Sequence, residues 1–231
     1  MAPLTIKVLF KSIQGLNELV FRHWLTRVVL PVLYFSVTTI SLYVDSKPVR
    51  RTISFLLGIL HLLGALFFWF IPHPHRVNAL WVAIIAGPTV VSILFFLEAF
   101  RLSPRMVYRV HRSPRRKLVG VICSYTGILW FGLLSLVITR KMSHLGVFGW
   151  PSPAALLSLG VLITASKRGL LGNVILLVLS LFSIVFSVYS VFVLKYYGDT
   201  LLLLAATVGF TIFLDDVRGL RPLDGSSLKQ E

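Results

Sequence analysis

The sequence predicts an all-α protein, a polytopic integral membrane bundle of six to seven transmembrane helices preceded by an N-terminal amphipathic helix. Three observations lead there. Hydrophobic residues make up 56% of the 231 positions and charged residues only 13%, against about 25% charged in an ordinary soluble domain. The mean hydropathy is +0.86. The apolar residues also fall in runs long enough to cross a hydrocarbon layer roughly 30 Å thick, which takes about 20 helical residues.

Residues 1–23 form an interfacial segment. Ile6, Leu9, Phe10, Ile13, Leu16 and Val20 recur at three- and four-residue steps, with Lys7, Lys11, Gln14 and Glu18 mostly elsewhere on the wheel. A helix of that pattern can lie flat at the head-group boundary, the competing reading being that it packs on the bundle or on a partner. No cleavable secretory signal is read, because the first apolar run begins only after Trp24 and no small-residue cleavage pattern follows it. The acid-free start resembles a mitochondrial presequence in part, but it lacks arginine.

The bundle is expected over 24–214, with spans near 24–44, 53–71, 78–100, 118–139, 147–165, 171–194 and 200–214. In the first span, Arg27 sits one turn in and can snorkel toward the interface. The basic link at 45–51 breaks the helix at Pro48. The second span ends in Trp69, an interfacial aromatic, and Pro72. The third carries Gly87-Pro88 at mid-span, a kink that membrane helices tolerate when neighbours satisfy the freed carbonyl. The fifth opens on Trp150-Pro151-Ser152-Pro153, where proline suits a first helical turn. Lys167-Arg168-Gly169 makes a tight basic turn before the sixth, where Ser183, Ser187 and Ser190 share a face that favours close helix packing. Asp199 or Thr200 caps the seventh run, which is short for a span. Residues 215–231 form a short polar tail.

Lys and Arg total 23 against 8 acids, a formal charge of +15. On a membrane chain this reads as the positive-inside bias and as attraction to anionic head groups, not as nucleic-acid binding. Most of the asymmetry lies in 101–117, where Arg101, Arg105, Arg109, Arg112, Arg115, Arg116 and Lys117 occur without an acid. These seven are the expected lipid or partner contacts. The rule puts their loop and the C-terminus in the cytosol. Ser103-Pro104 and Ser113-Pro114 within it are candidate phosphorylation sites that would lower its charge.

Few residues carry chemistry. Glu98 is the one acid well inside a span signal, which makes it a functional candidate, although an i,i+3 pair with Arg101 would satisfy it. His61 lies at mid-span and is read either as a buried, hydrogen-bonded imidazole or as a proton relay. Asp215 and Asp216 follow the last run and form a paired carboxylate of the kind that holds Mg²⁺, or a solvated helix end paired to Arg218. His73 and His75 are too few for a closed zinc site, and His23, His111 and His144 are scattered. The lone Cys123 excludes an intrachain disulfide and a cysteine metal cluster. No phosphate-binding glycine loop or zinc-protease helix motif occurs, so no metal and no cofactor is expected.

The leading expectation is a multi-pass protein of an internal membrane, the endoplasmic reticulum ahead of the mitochondrion, with a binding, scaffolding or assembly role. Its partners would be anionic lipids and other membrane proteins. The alternatives are a membrane-embedded enzyme acting on a lipid or other apolar substrate through Glu98 and His61, with Asp215 and Asp216 as further candidates, and a small transporter or channel. The sequence leaves open whether the chain is an enzyme.

Overall fold

In a computed structural model, residues 24–70, 79–101, 105–110, 113–139 and 151–219 are described. They form α1 (Trp24–Tyr43), α2 (Lys47–Phe70), α3 (Ala79–Phe100), β1 (Val107–Val110), α4 (Pro114–Thr139), α5 (Pro151–Thr164), β2 (Ala165–Lys167), α6 (Gly169–Val188) and α7 (Thr200–Gly219). The amphipathic 1–23 segment, His23, His73, His75, Ser103, His111, Arg112 and His144 lie outside them, as does the tail beyond Gly219. The all-α class holds, with one short strand pair added.

Three segments are long and apolar enough to cross a membrane: Lys47–Leu66, Gly169–Val193 and Tyr197–Arg218. Such segments are what an integral membrane protein carries. Val32–Tyr43, Ile85–Phe100 and Ser152–Thr164 are apolar but shorter. Against the expected six to seven spans, the described residues therefore supply three of full length. Of the expected 147–165 span the structure describes α5, 14 residues or about 21 Å at 1.5 Å per residue, while 147–150 lie outside the described residues. The last run is longer than expected. Expected to stop near Leu214, it continues as helix to Gly219, because Asp215, Asp216 and Arg218 extend it without a breaker.

α5 is the centre of the molecule. Every side chain from Ser152 to Thr164 is buried, and α1, α2, α4, α6 and α7 all pack on it. The approach to α4 is close. A Cβ on Gly127 would lie 2.6 Å from the Leu157 nitrogen, and one on Gly160 would lie 2.3 Å from the Ser124 nitrogen. Small residues allow such backbone proximity between helices that lipid cannot drive together. Side chains then tie the outer helices in. Tyr34 OH donates to the Leu56 carbonyl at 2.9 Å, Ser92 Oγ donates to the Gly58 carbonyl at 2.8 Å, and Thr39 Oγ1 and Tyr125 OH lie 2.9 Å apart. The polarity runs inside out. Thr38, Ser41, Ser54, Ser92, Ser124, Ser158 and Ser180 are buried, while Leu97, Phe100, Val185, Phe192 and Leu204 are exposed.

One local expectation changes. Pro48 does not break the helix. Only 44–46 intervene between α1 and α2, and Ser46 caps α2 by accepting the Val49 N–H at 3.4 Å, so Pro48 falls in the first turn, where its missing N–H costs nothing. At Gly87-Pro88 the helix continues and the glycine is closely packed. Pro88 is buried inside α3, and a Cβ on Gly87 would sit 2.2 Å from the Phe182 ring of α6.

Candidate functional site

The connections define one end of the bundle. Arg51 at the start of α2 donates to the Arg101 carbonyl at the end of α3 at 2.9 Å. β1, inside the arginine-rich 101–117 segment, pairs antiparallel with β2 before α6, Val107 opposite Lys167 and Val110 opposite Ala165. Tyr108 OH, buried beneath the strand, lies 2.7 Å from Ser54 Oγ of α2. Burial raises that phenol above its ordinary value, with the Ser54 bond opposing. The starts of α2, α4 and α6 and the ends of α1, α3, α5 and α7 thus meet on one side.

Glu98 anchors this side. It is fully buried. Its Oε1 accepts the backbone N–H groups of Arg105 at 2.6 Å and Met106 at 2.8 Å, and Oε2 meets Arg101 at 3.4 Å. The expected Arg101 contact is therefore present, but the shorter bonds go to the backbone and hold the turn into β1. Asp216 forms a second anchor. Its Oδ1 accepts from Arg116 at 3.0 Å and its Oδ2 from Arg168. Arg168 is itself buried, with Nη1 on the Leu162 carbonyl at 2.6 Å and Nε on Asn173 Oδ1 at 3.2 Å. Burial pulls the Arg168 guanidinium below its ordinary value, and the bond and charge of Asp216 oppose that. Arg218, the expected partner of the acidic pair, is exposed and makes neither of these bonds, and Asp215 is exposed.

His61 is elsewhere. Its Nε2 lies 2.9 Å from Ser158 Oγ of α5, and its ring stacks on Phe95 at 5.9 Å between centroids. Glu98, His61 and Asp216 thus bond to three separate sets of partners, and no hydrogen bond joins any two of them. Among the described residues no group of three His, Cys, Asp or Glu side chains is placed to hold a metal ion. Cys123 is buried.

The remaining described cations face outward. Arg105, Arg109, Arg115, Lys117 and Lys167 are exposed at this end, as is Arg101 beside its contact with Glu98. A shallow groove of about 330 Å³ on α3, lined by Ile93, Phe96, Leu97 and Phe100, ends at Arg101. Apolar walls that finish at a guanidinium suit an acyl chain with an anionic head. Sequence reasoning found the arginines but not the groove, and it read Arg168 only as part of a turn. The sole local signal for Arg168 was Asn173 five residues on, one helical turn into α6.

At the opposite end, Asp199 precedes α7 but does not cap it. Its carboxylate is fully buried, and among the described residues neither oxygen closes a hydrogen bond. Of the two caps expected there, Asp199 does not serve.

Comparison with curated proteins and with solved structures finds no match. A family model described as a family of unknown function (DUF6064) matches residues 6–221, and on that match across nearly the whole chain the protein belongs to this family.

Proposed function

We propose that this is a multi-pass membrane protein with a binding or assembly role, whose basic end engages anionic lipid head groups or the acidic surface of a membrane partner. The observation that carries the reading is the α3 groove that ends at exposed Arg101. Around it stand Arg105, Arg109, Arg115 and Lys117, in no ion pair among the described residues, since Glu98 holds the backbone and Arg101, and Asp216 holds Arg116 and Arg168. On this reading α1, α3, α4 and α5 complete the membrane crossing together with the three full-length segments, and the basic end faces the cytosol of an internal membrane, the endoplasmic reticulum first. The enzymatic alternative has less support, because Glu98 and His61 are buried and already bonded to different partners.

The test is purification in mild detergent followed by mass spectrometry of the retained lipids. The protein should keep anionic phospholipid in preference to zwitterionic. Each Lys or Arg near a membrane surface contributes about 1 kcal/mol, so Arg101→Gln should weaken retention about fivefold. Replacing Arg105, Arg109, Arg115 and Lys117 together by Gln should remove the preference. Retention unchanged in both variants would defeat the proposal.

A further inference from the structure

The end of the bundle away from the arginines holds a different chemistry. Asp199 closes a short 3-10 turn, Tyr197–Asp199, and is fully buried. Two buried serines flank it, Ser152 in the first turn of α5 and Ser190 in the π-helical turn Tyr189–Val193 that ends α6. Both hydroxyls stand close enough to act on the carboxyl, yet neither closes a hydrogen bond of normal length and angle. The polar seam continues along the same face of α6. Ser187, Ser183 and Ser180 are fully buried and also without partners among the described residues, so this line of hydroxyls runs about 15 Å from Ser190 at 1.5 Å per residue. π-turns occur often at functional sites, and this one carries Ser190 and Val191 inward.

A carboxylate taken from water must be paired or neutralised. Among the described residues no cation does this. Lys195, four residues away, is exposed and forms no ion pair among them. The other described titratable groups on the elements packed around Asp199 are Tyr189, Tyr196 and Tyr197, while the described first turns of α5 and α7 bring none. The donor set is oxygen only, with one formal negative charge. That excludes soft transition metals, which want sulfur or imidazole. It also disfavours calcium and magnesium, which take more ligands and usually more than one carboxylate or several waters.

We propose that Asp199, Ser152 and Ser190 form a buried site for one monovalent cation, a proton or a sodium ion. The site stands at the other end of the bundle from the lipid-facing arginines and does not depend on their role.

The experiment uses the full chain in detergent, with carbodiimide labelling of Asp199 read by peptide mass and thermal melting read in sodium chloride against choline chloride from acidic to alkaline pH. Carbodiimides react with protonated carboxyls in apolar surroundings. If sodium binds, sodium chloride raises the melting temperature and slows labelling about tenfold once sodium stands about tenfold above its dissociation constant, and choline does neither. If the site takes a proton, labelling declines as pH rises and sodium has no effect. In both cases Asp199→Asn, which is neutral and nearly isosteric, removes the response, and Ser152→Ala with Ser190→Ala weakens it. An Asp199 that is never labelled, in a protein whose melting responds to sodium and pH as its Asn variant does, overturns the proposal.

Discussion

At Glu98 the chain places its most conspicuous charge where it can do the least chemistry. Two backbone N–H groups at 2.6 and 2.8 Å share one oxygen, so the carboxylate works as an intramolecular clamp on the turn into β1. Hydrogen bonds to a charged group contribute about 1.5–3 kcal/mol each, and stranding their donors costs more than losing them. Glu98→Ala should therefore destabilise the protein by about 3–5 kcal/mol. Glu98→Gln keeps an oxygen for both donors and loses mainly the charge, at about 1–2 kcal/mol. Thermal or denaturant unfolding in detergent measures both, and equal losses would show that the backbone bonds are not what holds this turn. The residue was legible from sequence as an acid inside a span, and its Arg101 neighbour was visible at i+3. The turn that encloses it was not, because Arg105 and Met106 reach it through backbone atoms, which carry no sequence signal. Asp199 was misread for a related reason. An aspartate before a helix ordinarily caps it, and only the surrounding packing turns this one inward.

Among the elements, the long helices were readable and their relations were not. Leu, Ile, Val and Phe runs mark α2, α6 and α7 directly. β1 and β2 are short and lie on opposite sides of α4 and α5 in the chain, so neither shows the alternation that would announce a strand. The central place of α5 was hidden as well. A helix apolar on all sides reads equally as lipid-facing or as wholly enclosed, and here enclosure wins. That enclosure rests on glycine at the α4–α5 contact. Gly160→Leu would drive a side chain into Ser124 and the Gly120 carbonyl, where the obstruction is largely backbone and cannot move aside. Overpacking typically costs about 1–3 kcal/mol and occasionally more, so the melting temperature should drop clearly. Gly64→Ala, which meets nothing within 4 Å, should leave it unchanged. A Gly160 variant as stable as the parent would mean that the two helices are not in close contact.

For the whole molecule, the balance between its two ends is what orients it. Among the described residues, Arg109, Arg115 and Lys117 stand exposed at one end, and Lys195, held at φ 56 in the turn after α6, is exposed at the other. Between them much of the outer surface is Leu, Val and Phe, and hydroxyls such as those of Ser92, Ser124 and Ser183 are buried. A protein of this polarity has hydrocarbon as its lateral solvent, and the cation-rich end should then lie on the cytosolic side. Single cysteines can report this, because the one native thiol, Cys123, is buried and is removed by Cys123→Ala. With Arg109→Cys and Lys195→Cys made separately in that background, a membrane-impermeant maleimide applied to sealed vesicles should label one variant from outside and the other only after the membrane is opened. Inverting the vesicles should exchange the two results. Equal labelling of both from a single side would mean that α6 does not cross, and with it would go the assignment of the arginine end and the Asp199 end to opposite faces of the membrane.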